Sequence, residues 1–335
     1  MRSVLVPAGP VSDLPQRETL PLMGEFAQYL NTAWLADRPD VVHAHAWLPG
    51  LAAALAAGRH GLPTVQSFHG LAAASDCNGE ASRRRLEILL AKSATWVIAG
   101  STDEMTTLAG MRRSRARMSV VGSAVDIEQF APMAIGTHGG YGRRIVGLAA
   151  GTGPGCGLDV VIHALSKLRG LELVGAITQP SRERPDALRR LAVEAGVADR
   201  VTFVEAFDSD ALAPLLESAD MVTHTPWSAP TAVPVLEAMA SGIPVVATAV
   251  GALADTVVDQ VTGFLVPPGN SAGVARALKM LASQSFRRQS MGAAGRARVA
   301  ARYTWQRVAT ESRAAYEQAV QMGPRTAVAG QAARG

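Results

Sequence analysis

The chain has 335 residues, enough for two α/β domains that each bury a core. With 48% hydrophobic and 18% charged residues and a net charge of +4, it is neither a disordered chain nor a polycation built for nucleic acid. Its two cysteines, Cys77 and Cys156, have no paired spacing, so neither a disulfide framework nor a zinc site is expected.

No apolar run reaches the length of a membrane span, and residues 1–10 are too short for a signal peptide. A cytoplasmic location is therefore expected. The basic residues cluster at Arg83-Arg84-Arg85 and between Arg112 and Arg117. They read first as a solvated helix face and a basic turn, and second as a peripheral contact with an anionic membrane surface.

Short Val-rich runs alternate with longer helical patterns, which predicts strand-crossover-strand units and parallel sheets. The first series places strands near Ser3–Val6, Val41–His45, Thr64–Phe68, Trp96–Ala99 and Met118–Val121. Gly136, Gly139, Gly140 and Gly142 then mark a flexible connection. The second series places strands near Ile145–Ala150, Leu171–Val174, Val201–Val204, Met221–His224 and Pro244–Ala247. After Pro268 the pattern is helical to about Met322.

The expected organisation is an N-terminal domain over 1–135, a Gly-rich linker over 136–144 and a C-terminal domain over 145–302. A last helix over 303–322 and a flexible tail over 323–335 complete it. Two doubly wound Rossmann-like sheets would face a cleft at the carboxyl ends of their strands.

The segment from Thr225 to Ala247 reads as a strand end, a loop, a short helix and a strand. Pro234 suits the first helical position, because its fixed φ matches the helix and it has no N–H to leave unpaired. The amides of Thr231, Ala232 and Val233 are then expected to point outward as an anion site. Glu237, read within the first helical turn, suits ribose hydroxyls as an acceptor or, more plainly, complements the helix dipole.

This stretch resembles the sugar-nucleotide motif of the retaining GT-B glycosyltransferases of the family-four group, which has many actinobacterial members. The likeness rests on Leu236-Glu237-Ala238-Met239-Ala240, Gly242-Ile243-Pro244-Val245-Val246-Ala247, Val250-Gly251-Ala252-Leu253 and Thr262-Gly263-Phe264-Leu265-Val266-Pro267-Pro268. Further pieces fall in the family's order: Asp40-Val41-Val42-His43-Ala44-His45, Ser67-Phe68-His69-Gly70, Ser101-Thr102-Asp103-Glu104, Val125-Asp126 with Phe130, and Tyr303-Thr304-Trp305.

The resemblance implies a hexose-type sugar transferred with retention from a UDP-, GDP- or ADP-sugar to a small-molecule, glycan or lipid acceptor. It implies no metal and no cofactor. The donor would bind the C-terminal domain and the acceptor the N-terminal one, and the last helix would cross back to the first domain. By position, Glu237 would bind the ribose, Pro230, Thr231, Ala232 and Val233 would face the diphosphate and sugar, and His69 would meet the donor sugar.

Three departures from the family pattern touch these expectations. The family pairs two glutamates, and Ala229 stands eight positions before Glu237. The cations that neutralise the leaving diphosphate fall at Gly151 and Cys156. No strand with a glycine-rich loop and helix opens the chain, so Met1 is read as beginning partway through the N-terminal domain.

Two other readings follow. One is a catalytically impaired glycosyltransferase that binds a nucleotide or a partner without transfer. The other is a dinucleotide-binding oxidoreductase built on Gly151-Thr152-Gly153-Pro154-Gly155-Cys156-Gly157, although Cys156 stands where the third fingerprint glycine belongs. The backbone of Gly151, Thr152 and Gly153 would still offer an anion-binding nest that partly replaces the cations missing from the glycosyltransferase pattern.

Overall fold

The structure, a computed structural model, describes residues 3–6, 8–10, 14, 16–72, 80–132, 144–179 and 185–324. Its elements run α1 (Gln16–Thr19), α2 (Met23–Ala36), β1 (Val42–His45), α3 (Trp47–His60), β2 (Thr64–Ser67), α4 (Glu80–Ser93), β3 (Trp96–Ala99), α5 (Thr102–Arg112) and β4 (Met118–Val120). These are followed by β5 (Arg144–Ala149), α6 (Leu158–Leu165), β6 (Glu172–Ile177), α7 (Asp186–Glu194), β7 (Val201–Glu205), α8 (Ser209–Glu217), β8 (Met221–His224) and α9 (Val233–Ala240). The chain ends in β9 (Val245–Thr248), α10 (Gly251–Thr256), β10 (Gly263–Val266), α11 (Ser271–Ser283), α12 (Ser285–Arg302) and α13 (Trp305–Met322).

The chain divides into two compact units, one of residues 1–121 with 309–335 and one of residues 122–308. In the first, four parallel strands lie in the order β1-β2-β3-β4. Their core joins Val97 and Ala99 to Ala52, Leu90, Ala91 and Leu108 from the helices. Small side chains on α3 let it lie close to the strands: Ala52, Ala56 and Ala57 are each at most 1% exposed. Gly61 ends that helix in the left-handed conformation, φ 58°, which glycine adopts without a Cβ penalty.

In the second unit six parallel strands take the order β10-β9-β8-β5-β6-β7. All four residues of β8 and of β9 are buried, as expected of central strands covered on both faces. Side-chain caps fix two helix starts. Asp208 accepts from the Ala211 amide at 2.8 Å, and Asn270 accepts from the Gly273 amide at 2.9 Å.

Residues 122–130 cluster with the second unit rather than the first, because Val125 and Phe130 enter its core and the Val125 amide donates to Tyr303 O at 3.0 Å. The Gly-rich connection lies outside the described residues at 136–143. Ser3–Val6 is not a strand. Apolar residues alone do not make one: Leu5 is 97% exposed, and Val6 O accepts the Ala8 amide, two residues on, rather than a ladder partner among the described residues. The run Gly263–Val266, read only as a motif, forms the edge strand β10. The helical stretch after Pro268 is three helices, interrupted at Gln284 and at Tyr303-Thr304.

Candidate functional site

In the second unit β5 lies between β6 and β8, so the chain leaves its first strand in both directions and the topological switch point falls at β5/β8. Ligands of open parallel sheets bind in the crevice where the loops after such strands diverge. Here these are the loops over 150–157 and 225–232.

The two loops are stitched together. The Thr225 hydroxyl donates to Gly157 O at 2.8 Å, and the Trp227 amide donates to Gly155 O at 2.9 Å. A Cβ on Gly157 would stand 2.2 Å from Thr225 O, and its φ is +94°, so the approach requires glycine. Gly151 and Thr152 are buried and Gly153 is half-buried, while the Cys156 amide is used within the loop, donating to Gly153 O at 3.2 Å.

On α9 the structure changes three details. The helix starts at Val233, so Pro234 is its second residue and Glu237 its fifth, beyond the first turn. Of the three amides expected to face an anion, that of Val233 already donates to the Thr231 hydroxyl at 3.3 Å. Ala232 is 1% exposed, whereas Pro230 and Thr231 are exposed. The Ser123 and Thr231 hydroxyls are 2.9 Å apart, which ties the loop over 225–232 to the segment after β4.

Glu237 is 5% exposed and accepts from the Ser209 hydroxyl at 2.9 Å. Burial pushes its carboxyl above the usual carboxylate range, and the Ser209 bond partly offsets this. Ala229 is 4% exposed and sits in the hydrophobic cluster of Ala232, Val235 and Ala252, with its carbonyl accepting the Ala252 amide at 2.9 Å.

In the first unit the ends of β1 and β2 carry His45 and the His69-Gly70 turn. His45 is in register with Ser67, and the Ala46 amide donates to Ser67 O at 2.8 Å. The buried Gln66 carboxamide donates to Ala46 O and Ser67 O at 3.0 and 2.7 Å, bracing both strand ends. Ala46 and His69 both take positive φ, 65° and 55°, a conformation rare for residues with a side chain and concentrated at functional sites.

The turn after His69 is held by carboxylates. Glu104 accepts from the Gly70 and Gly100 amides at 3.3 and 2.6 Å, while Ser101 caps α5 through the Glu104 amide at 3.1 Å. Glu87, fully buried, accepts from the Ala72 amide at 3.0 Å and pairs with Arg83 at 2.8 Å; Arg83 also donates to Gly70 O. Arg83 is thus a structural cation rather than part of a solvated face, and Arg112 likewise donates to Ala91 O and Ala94 O. We expect Glu104→Ala to cost about 2 kcal/mol, because two amide donors lose a charged acceptor. Amide exchange at Gly70 and Gly100 should accelerate, and unchanged exchange would contradict the assignment.

His69, Glu237 and the glycine loop stand in motifs that the sequence marks, whereas Ser209, Ser123, Gln66 and the Arg83–Glu87 pair, which the structure sets against them or against their neighbours, do not. Nothing in the local pattern flags these, since each acts on a partner from another element. No group of three or more His, Cys, Asp or Glu side chains suited to a metal occurs among the described residues. No helix among them is long and apolar enough to cross a membrane. Cys77 lies outside the described residues, and Cys156 is in no disulfide.

Residues 144–284 match the family model described as glycosyl transferases group 1, and residues 2–124 match the glycosyl transferase 4-like domain. The D-inositol 3-phosphate glycosyltransferase of Stackebrandtia nassauensis is 31% identical, over 94% of this chain and 77% of the relative. That of Mycobacterium marinum is 30% identical, over 94% and 72%. Sucrose-phosphate synthase from Thermosynechococcus elongatus shares the fold with a TM-score of 0.82 at 23% identity, over 93% of this chain and 82% of that one. Anabaena HepE, solved in complex with UDP and glucose, does so with a TM-score of 0.77 at 20% identity, over 89% and 81%.

Proposed function

Since the chain belongs to the group 1 glycosyl transferases and has the GT-B fold of two parallel-sheet α/β units, we propose that it transfers a hexose-type sugar from a nucleotide-sugar donor held by its second unit. The observation that carries this reading is Glu237. Its carboxylate is buried on α9, the helix that follows β8, and bonded only by the Ser209 hydroxyl among the described contacts. Burying a carboxylate against one neutral donor costs stability, and a ligand that offers hydroxyls recovers it.

In this reading the ribose diol donates to Glu237, and the diphosphate lies along the glycine loop and the amides of Thr231 and Ala232. His69, exposed just beyond β2, is by the family resemblance the group that meets the donor sugar. Retention of configuration and a metal-independent reaction come with the family resemblance. The structure of HepE with UDP and glucose supports a nucleoside diphosphate as the carrier. The name shared by the Stackebrandtia and Mycobacterium marinum relatives makes D-inositol 3-phosphate the first acceptor to test.

Catalysis then depends on how the leaving diphosphate is stabilised without the cations that the family places at Gly151 and Cys156. Backbone amides held rigid by the Thr225–Gly157 and Trp227–Gly155 bonds supply the stabilisation available in this loop. Cys156→Lys, at a half-buried loop position, is expected to tighten binding of the matching nucleoside diphosphate about tenfold, the effect of one charge-assisted bond. Unchanged affinity in a titration would place the diphosphate elsewhere. Ala229→Glu is expected to lower the melting temperature, since it buries a carboxylate in an apolar cluster.

The function itself is tested by incubating the full chain with radiolabelled UDP-, GDP- and ADP-sugars and D-inositol 3-phosphate. A glycosylated product with the donor's anomeric configuration is expected. Tight nucleotide binding without transfer to any acceptor would favour a binding protein that has lost turnover. The dinucleotide-oxidoreductase reading is set aside by the family matches across both units.

A further inference from the structure

We propose that His45 is a positioning residue, holding His69 in one tautomer and one ring orientation, and that Tyr316 on the C-terminal helix braces the pair through His43. The proposal rests on the reading of His69 as the group facing the donor sugar. All five residues belong to the first unit: His43 and His45 on β1, Ser67 on β2, His69 just beyond it, and Tyr316 on the part of α13 that clusters with residues 1–121.

His45 Nδ1 lies 2.7 Å from His69 Nε2, with the two rings only 12° from coplanar. Two imidazoles at that distance need one N–H and one lone pair between them, so each fixes the tautomer of the other. A lone exposed histidine would exchange its proton between nitrogens. Bonded to His45 through Nε2, His69 presents its other ring nitrogen in the tautomer that complements that of His45. The β1–β2 ladder, with His45 opposite Ser67, sets the two strand ends side by side, and Ala46 and His69 both take positive φ just beyond them.

Behind the pair, the His43 ring packs on His45 with centroids 4.1 Å apart. Both His43 nitrogens are engaged, Nδ1 with the Tyr316 hydroxyl at 2.8 Å and Nε2 with the Ser67 hydroxyl at 2.9 Å. Burial first, and then the proximity of His45 and His69, lower His43 to about 4. Burial and His69 likewise lower His45. At neutral pH His43 therefore carries one N–H. The phenol, the stronger acid of its two partners, donates to Nδ1, and Nε2–H donates to Ser67. Tyr316 stays a phenol, because burial pushes it up from its usual range.

The test is long-range proton–nitrogen correlation spectroscopy on the full chain labelled at histidine with nitrogen-15, at neutral pH and without any substrate. Expected are complementary single tautomers for His45 and His69. In His45→Phe, His69 becomes a mixture of both forms. In His45→Asn, whose carboxamide takes the place of Nδ1, it remains single, and Tyr316→Phe shifts the His43 nitrogens. Identical His69 spectra in wild type and His45→Phe would overturn the proposal, as would a His69 already mixed in wild type.

Where a transferred sugar has been found, His45→Phe is expected to lower kcat about tenfold with the donor KM unchanged, and His45→Asn to restore most of it. Equal losses in both variants would overturn the positioning role. Because the spectroscopic result needs no turnover, it stands or falls apart from the glycosyltransferase reading.

Discussion

Gly157→Ala is expected to destabilise the second unit by about 3 kcal/mol, combining a strained positive φ with overpacking against backbone. The new Cβ would stand 2.2 Å from Thr225 O and 2.4 Å from its carbonyl carbon. Neither atom can rotate away, since Thr225 directly follows the central strand β8 and its hydroxyl is bonded to Gly157 O. Denaturant unfolding should show the midpoint falling by that loss divided by an unchanged slope. Gly170→Ala, also at positive φ (+70°) but with nothing near its Cβ, serves as the comparison and should cost much less. Equal losses at the two positions would show that conformation alone, and not the stitched loops, sets the cost.

Glu237→Gln is expected to bind its nucleotide sugar about ten- to a hundredfold more weakly while melting no lower than wild type at pH 7. The binding loss is that of hydrogen bonds from hydroxyls to a charged acceptor. The stability gain follows from the raised carboxyl. A group whose folded pKa lies above its unfolded value binds its proton more tightly in the native state. Stability therefore falls as pH rises from the ordinary carboxylate value through the folded one. Gln removes that penalty. The advantage of the variant should be largest at neutral pH and shrink towards pH 4, below the ordinary value of 4.5. A Gln variant that melts well below wild type at pH 7 would mean that the carboxylate is structurally compensated, not poised for a ligand.

Much of the scaffold was readable from sequence because parallel strands buried on both faces are continuous apolar runs. Val245-Val246-Ala247 and Met221-Val222 advertise β9 and β8 directly. Ser3–Val6 has the same apolar character but no paired neighbour among the described residues, and strand identity is conferred by the ladder. Gly263–Val266 is the reverse, short and flanked by a glycine start and a proline end, and it becomes β10 only because β9 lies alongside.

The site was legible to a lesser degree. Glu237 and His69 stand in ordered motifs, but what they touch depends on packing: Ser209 is 28 residues from Glu237, and His45 is 24 from His69. Tyr316 is 273 residues from His43, and a helix heptad contains nothing to mark it. The helix start was misplaced by one residue, which was enough to put Glu237 in the wrong turn and to count the Val233 amide as open when Thr231 already occupies it. Terminal residues of helices are where sequence patterns are least informative.

The most direct measurement is a calorimetric titration of the full chain with UDP-, GDP- and ADP-sugars, each repeated on Glu237→Gln. The account predicts saturable micromolar binding of one of them at a single site, weakened at least tenfold in the variant. Binding of equal strength in the variant would remove Glu237 from the site, and no binding of any of the three would contradict the nucleotide-sugar donor itself.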